Sequence, residues 1–277
     1  MGEKYFRGKS RDHSLARKTF RYDEMAKPSQ LQTGASCRQS VPSLQVPVAS
    51  QGAGRFIAVM IRSFTALLCG LALGLSDGRS APESWTDAIA KLTQHDGEQP
   101  AEPESVVFVG SSSIVKWTTL ATDFPGIGVI KRGFGGSELA DSVFYADRVV
   151  TPYKPRAVVV YAGENDIAAG KMADDVAALF RAFVAKVHAS LPNTKIYFVS
   201  LKFSPSRAKF KAEMRRANVL VAAICEEMTN CRFVDVNTNM LDPAGEPRPE
   251  LFEADRLHMR SEGYAIWKKI LTPLIQP

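Results

Sequence analysis

The sequence predicts an α/β domain, a three-layer αβα sandwich built on a five-stranded, parallel, doubly wound sheet. Three observations predict it. From residue 105 onward, short runs rich in Val, Ile, Phe and Tyr alternate with stretches of helical period, as in a parallel sheet covered on both faces. Clusters of Gly and small hydroxyl residues follow the apolar runs directly, where such sheets bind ligands. A chain of 277 residues, 45% hydrophobic and 23% charged, is also long enough to bury a full core.

Taken in order, residues 1–59 are rich in Ser, Gln, Gly, Arg and Lys without apolar period, and read as a disordered basic extension. Residues 60–81 have the layout of a secretory signal peptide: Met60-Ile61-Arg62-Ser63, an apolar run over 64–75, then small residues up to Ala81 before Pro82. The run is too short to span a bilayer comfortably, so no stable membrane span is expected. These features imply a periplasmic or secreted protein translated from Met60, with 1–59 not translated; an internal apolar helix of a cytoplasmic protein is the alternative. Lipid attachment at Cys69 is disfavoured by the bulky Leu67 and Leu68 before it. Residues 82–104 read as a short helix, 85–92, and a polar linker.

The catalytic domain is expected over 105–277. Its strands are predicted at 105–109, 127–131, 157–161, 196–201 and 233–236, and its helices at 113–121, 138–149, 174–190, 208–228 and 262–274. Right-handed crossovers then lead to a sheet of flavodoxin-like type.

Charge narrows the function. The net +6 lies wholly in residues 1–59, which carry 10 Lys+Arg against 4 Asp+Glu, so that the rest of the chain is neutral. A neutral domain makes no footprint for phosphates, and nucleic-acid binding is set aside. Cys37 and Cys69 would be lost on processing; Cys225 and Cys231 remain, read as two buried free thiols, with a disulfide as the alternative in an oxidising compartment. Neither has the spacing of a metal ligand.

Four motifs fall just after strands or in the last loop. Gly110-Ser111-Ser112-Ser113 sets a serine at a helix N-terminus, where free N–H groups favour an oxyanion, although taken alone the motif reads more simply as plain capping. Arg132-Gly133-Phe134-Gly135-Gly136-Ser137 exposes backbone N–H groups, or is a tight turn; Glu138 stands where a dinucleotide fingerprint needs its third glycine. Ala162-Gly163-Glu164-Asn165-Asp166 offers the Asn165 amide to a carbonyl gaining charge, or forms an Asx turn. Asp255-Arg256-Leu257-His258 pairs a histidine with an acid three residues earlier, as a general base requires; a surface ion pair is the competing reading. Of the four histidines only His258 has an acid three residues earlier; His13 falls in the extension, His95 in the linker and His188 near the end of a helix.

Together the motifs supply a nucleophile, an oxyanion hole and an oriented base, and the chain resembles the SGNH hydrolase superfamily of GDSL-type esterases and lipases over residues 106–273. By that resemblance Ser112 corresponds to the nucleophile, Gly136 and Asn165 to oxyanion donors alongside the Ser112 N–H, and Asp255 and His258 to the Asp-x-x-His block. Gly-Ser-Ser-Ser replaces the Gly-Asp-Ser-Leu of the name, which leaves Ser111 and Ser113 as competitors.

The mechanism so implied is ester hydrolysis through an acyl-enzyme on Ser112, requiring no metal or organic cofactor, on a small-molecule or glycan ester. An O-acetyltransferase or carbohydrate deacetylase on the same site is the alternative, and a non-catalytic binding protein a lesser one. Residues 237–254, with Pro243, Pro247 and Pro249, are expected to loop into the Asp-His block and wall the acyl pocket. Phe203, Phe252 and Trp117 are candidates to line that pocket or to fill the core.

Overall fold

The computed structural model describes residues 82–97, 102 and 104–276; the expected extension and signal peptide lie outside them, as do Cys37, Cys69 and His13. Five parallel strands, β1 (Val106–Gly110), β2 (Val129–Gly133), β3 (Ala157–Tyr161), β4 (Lys195–Val199) and β5 (Cys231–Val234), pair in the order β2-β1-β3-β4-β5. This is the doubly wound sheet expected. The central strands β1 and β3 are Val-rich and buried at every position, because a β-branched side chain suits a pleated surface packed on both sides.

Helices cover both faces. On one lie α1 (Thr86–Thr93), α4 (Leu139–Phe144), α5 (Ala146–Val149), α7 (Ala173–Ser190) and α8 (Lys211–Glu227). Val176, Phe180, Phe183, Val184 and Val187 form the inner stripe of α7 and meet Val107, Val109, Val158, Val160 and Phe198 of the sheet. On the other face lie α2 (Ser112–Val115), α3 (Leu120–Asp123) and α10 (Ser261–Ile275), where Trp117, Trp267 and Leu271 pack on Phe108, Val159 and Tyr161. Two further short helices, α6 (Glu164–Ala168) and α9 (Asn237–Met240), sit at the carboxyl edge. Among the described residues no helix is long and apolar enough to cross a membrane.

Several boundaries differ from the sequence reading, for physical reasons. The helix expected at 113–121 is two short ones, because the Lys131 ammonium takes the carbonyl oxygens of Val115 (2.6 Å) and Trp117 (3.0 Å) and ends α2 there. The helix expected at 138–149 is interrupted at Tyr145. β2 starts two residues late and runs on through Arg132 and Gly133, and β5 begins two residues early at Cys231 and Arg232. Both are edge strands that tolerate polar residues, so an apolar run misplaces them. Within 237–254 the chain is more ordered than a plain loop: α9 is followed by a bridge between Leu241 and Pro247 and a 3-10 turn, Pro249–Leu251. Trp117, Phe203 and Phe252 are all buried in the core clusters. Cys225 and Cys231 are free thiols with sulfurs 3.0 Å apart.

Strand register sets the motifs level. Gly110 pairs with Gly133 on one side and Tyr161 on the other, so the three segments that follow leave the sheet at one height. Gly110 has φ +149°, and a Cβ there would lie 2.0 Å from the Tyr161 carbonyl oxygen. Only glycine admits that approach.

Candidate active site

The serine block leaves β1 through Ser111, an extended residue at the head of α2 whose N–H donates to the Tyr161 carbonyl at 3.2 Å. The α2 helix is one turn long, so it contributes free N–H groups rather than the dipole of a long helix. Ser111 and Ser113 are buried, and the Ser113 carbonyl accepts a hydrogen bond from the Tyr264 hydroxyl at 2.9 Å. Ser112 is half-buried between them, and its Oγ lies 2.9 Å from His258 Nε2.

His258 reaches that position through a tight hairpin. Phe252 and Met259, both buried, bridge at its base; the Glu253 N–H donates to the His258 carbonyl at 2.8 Å, and the Arg256 N–H to the Glu253 carbonyl at 2.9 Å. Arg256 turns the chain in the left-handed region, φ +58°, an uncommon conformation for a side chain of this size. Within the hairpin His258 Nδ1 is 2.5 Å from Asp255 Oδ2, while Asp255 Oδ1 accepts the N–H groups of Leu257 and His258 at 3.0 Å each. Slight burial works to raise the Asp255 carboxyl, but hydrogen bonds from the His258 ring and these two N–H groups outweigh it and hold it far below the usual carboxylate range. Lys116, just beyond α2, reaches Glu253 at 2.6 Å and ties the serine turn to the hairpin.

The glycine block curls beside Ser112. The Phe134 N–H donates to the Gly110 carbonyl at 2.9 Å, and Gly136 turns with φ +89°. A Cβ on Gly135 would lie 3.9 Å from that of Ser112, which places the glycine loop against the serine. Asn165 stands half-buried in the first turn of α6, and its Nδ2 donates to the Ser137 carbonyl at 2.9 Å. A carboxamide carries two N–H donors, so one remains for a ligand. The fold thus gathers Ser112, Gly136, Asn165, Asp255 and His258 at one edge of the sheet. His188 is not among them: its Nε2 pairs with the Thr194 carbonyl at 2.9 Å.

Among the described residues, Glu253, Asp255 and His258 have ligand-type atoms within 4.8 Å of one another. Both ring nitrogens of His258 are committed to Asp255 and Ser112, which leaves this group poorly suited to a metal. The sequence reading missed the charged residues behind the site. Lys202, three residues beyond β4, and Glu164, the first residue of α6, form a buried ion pair at 2.7 Å, and Lys171 bridges Glu138 and Asp166. The available signal was a charged residue at the end of an apolar strand, as in Leu201-Lys202-Phe203.

The model of the GDSL-like lipase/acylhydrolase family matches residues 75–266. No curated protein matches the chain significantly. Among solved structures, a Streptococcus pneumonia protein provisionally described as a platelet activating factor is 17% identical, with a TM-score of 0.63 over 70% of this chain and 96% of that one. A GDSL-like lipase from Bacteroides thetaiotaomicron is 22% identical, with a TM-score of 0.56 over 68% and 98%. An acetylxylan esterase from Geobacillus stearothermophilus is 18% identical, with a TM-score of 0.52 over 64% and 96%. At such identities the structures share the fold. The family model spans well over half of the chain, and the protein therefore belongs to the GDSL-like lipase/acylhydrolase family of carboxylic ester hydrolases.

Proposed function

We propose that the protein hydrolyses esters through an acyl-enzyme on Ser112. His258 takes the Ser112 proton through Nε2 as Oγ attacks the ester carbonyl, and Asp255 stays ionised, holding Nδ1–H and stabilising the imidazolium. The oxyanion is received by the N–H groups of Ser112 and Gly136 and by the free N–H of the Asn165 amide. His258 then gives its proton to the leaving alcohol and activates the water that releases the acid. The observation that carries this reading is the unbroken chain of contacts from Asp255 through His258 to Ser112, 2.5 and 2.9 Å long.

A fluorophosphonate probe tests it. Labelling at Ser112 that vanishes in Ser112→Ala and persists in Ser111→Ala and Ser113→Ala is the expected result; retention in Ser112→Ala refutes the assignment.

For the substrate we propose a small-molecule or glycan ester. The acetylxylan esterase that shares this fold is named for an acetylated glycan, so acetylated sugars belong in the first panel, with acetate release compared against transfer to a sugar acceptor. Export directed by residues 60–81 belongs to the same proposal, and mass spectrometry of the native N-terminus tests it, with a start at Pro82 expected.

A further inference from the structure

Behind the glycine and asparagine blocks, acidic side chains converge around one cation. Lys171, in the connection between α6 and α7, places its ammonium 2.5 Å from Glu138 Oε2 and 2.8 Å from Asp166 Oδ1. Asp166 is fully buried, and its other oxygen accepts the Leu139 N–H at 2.8 Å. Glu138 is nearly buried, and its own N–H donates to Asp141 Oδ2 at 2.8 Å.

The chain positions give this cluster its interest. Glu138 lies two residues after Gly136, and Asp166 directly follows Asn165. One ammonium therefore clasps an acid from each of the two segments that carry the distal oxyanion donors, the glycine loop and the first turn of α6. The two segments have two further ties, Asn165 Nδ2 to the Ser137 carbonyl at 2.9 Å and the Leu139 N–H to Asp166. Without the cation, the carboxylates of Glu138 and Asp166 face each other at low exposure and repel. Burial and the Glu138 charge work to raise the Asp166 carboxyl, while Lys171 and the Leu139 N–H oppose them.

A buried ion pair is a poor source of stability, since desolvation consumes much of its Coulomb energy. What it supplies is a fixed separation between the groups it joins. An oxyanion hole needs that, because a donor displaced by about 1 Å can cost on the order of 100-fold in rate.

We infer that Lys171 is a positioning residue of the active site: by holding Glu138 and Asp166 together it sets the spacing between the Gly136 N–H and the Asn165 amide, and so the fit of the oxyanion hole to the tetrahedral intermediate. The inference rests on the oxyanion roles proposed above. Lys171 contacts no reacting atom in this scheme, so its loss falls on kcat and spares KM.

The test is a double-mutant cycle on purified enzyme hydrolysing a short-chain aryl ester, with Lys171→Met, Asn165→Ala and the pair. Lys171→Met is expected to lower kcat by about 10- to 100-fold with little change in KM. Its affinity for a boronic acid that forms a tetrahedral adduct on Ser112 should fall in the same proportion. In the Asn165→Ala background the same substitution should cost less than threefold, because the donor it positions is gone. Lys171→Arg, which can still span both carboxylates, should restore most of the rate. Glu138→Gln, which keeps the Lys171–Asp166 pair, provides a second reading if Lys171→Met does not fold. Equal losses in both backgrounds, or a lowered melting temperature with kcat unchanged, overturn the positioning role. An Asn165→Ala enzyme with wild-type kcat overturns the oxyanion assignment and the inference with it, whereas an impaired Asn165→Ala beside a wild-type Lys171→Met overturns the inference alone.

Discussion

Ser112 Oγ and His258 Nε2 stand 2.9 Å apart although 146 residues separate them in the chain. Each approaches on a tight backbone device, Ser112 on the turn after Gly110 and His258 on the hairpin closed by Phe252 and Met259. Ser111 and Ser113 flank the contact but are buried. Replacement of Ser112 by Ala is expected to lower kcat for an aryl acetate by at least about 1000-fold, while Ser111→Ala and Ser113→Ala retain activity within about tenfold. Steady-state kinetics on folded variants measures the difference.

Asp255→Asn should keep the hairpin but favour the wrong imidazole tautomer, lowering kcat by about 1000- to 10,000-fold. Its effect on stability has a defined pH window. The Asp255 carboxyl is held below its unfolded value, so the wild-type advantage is complete above about pH 4 and is lost as pH falls through the depressed folded value. Melting temperatures of the two proteins should converge as the pH falls below about 4.

The pair of Lys202 and Glu164 is almost completely buried, with 1% and 5% of each side chain exposed, and Lys202 also contacts the Tyr161 hydroxyl at 3.2 Å. Removing one partner leaves the other charge buried alone. Lys202→Met should destabilise the protein by about 3–5 kcal/mol, and Lys202→Met with Glu164→Gln should recover much of that loss. Urea denaturation of the single and double variants reads both values.

Gly110→Ala tests the strand register. The added methyl would meet the Tyr161 carbonyl oxygen, and β1 cannot retreat without losing its pairing with β3. A loss of more than about 3 kcal/mol, seen as a collapsed denaturation midpoint or no soluble protein, is expected. Gly135→Ala, whose methyl would find only ordinary contacts near 3.9 Å, serves as the control.

Lys131→Met removes the cation that takes the last carbonyls of the serine turn. A charged hydrogen bond of this kind is worth about 1.5–3 kcal/mol, and the half-buried setting places the loss near the lower figure. Because α2 is a single turn, fraying at its end reaches Ser112, and a fall of about 10-fold in kcat should accompany the lost stability.

The central sheet was legible because its evidence is local. The Val run of β3 needs no distant partner to be recognised, and its predicted bounds, 157–161, coincide with those observed. The edge strands were displaced by two residues, since Arg132 and Arg232 belong to strands only by virtue of the neighbours they pair with. The short helix α6 was overlooked because one turn carries no apolar period. The cluster of Lys171, Glu138 and Asp166 left no trace in the chain, where Lys171 lies 33 residues from Glu138.

By itself the sequence determined the layered architecture and the four blocks at its carboxyl edge, because apolar periodicity, glycine turns and a histidine three residues after an acid are properties of contiguous chain. The tertiary structure decided which serine meets His258, how the glycine and asparagine segments are clasped by one ammonium, and which aromatics belong to the core. Those outcomes depend on strand register and on the burial of charge, and both arise only when residues far apart in sequence are packed together.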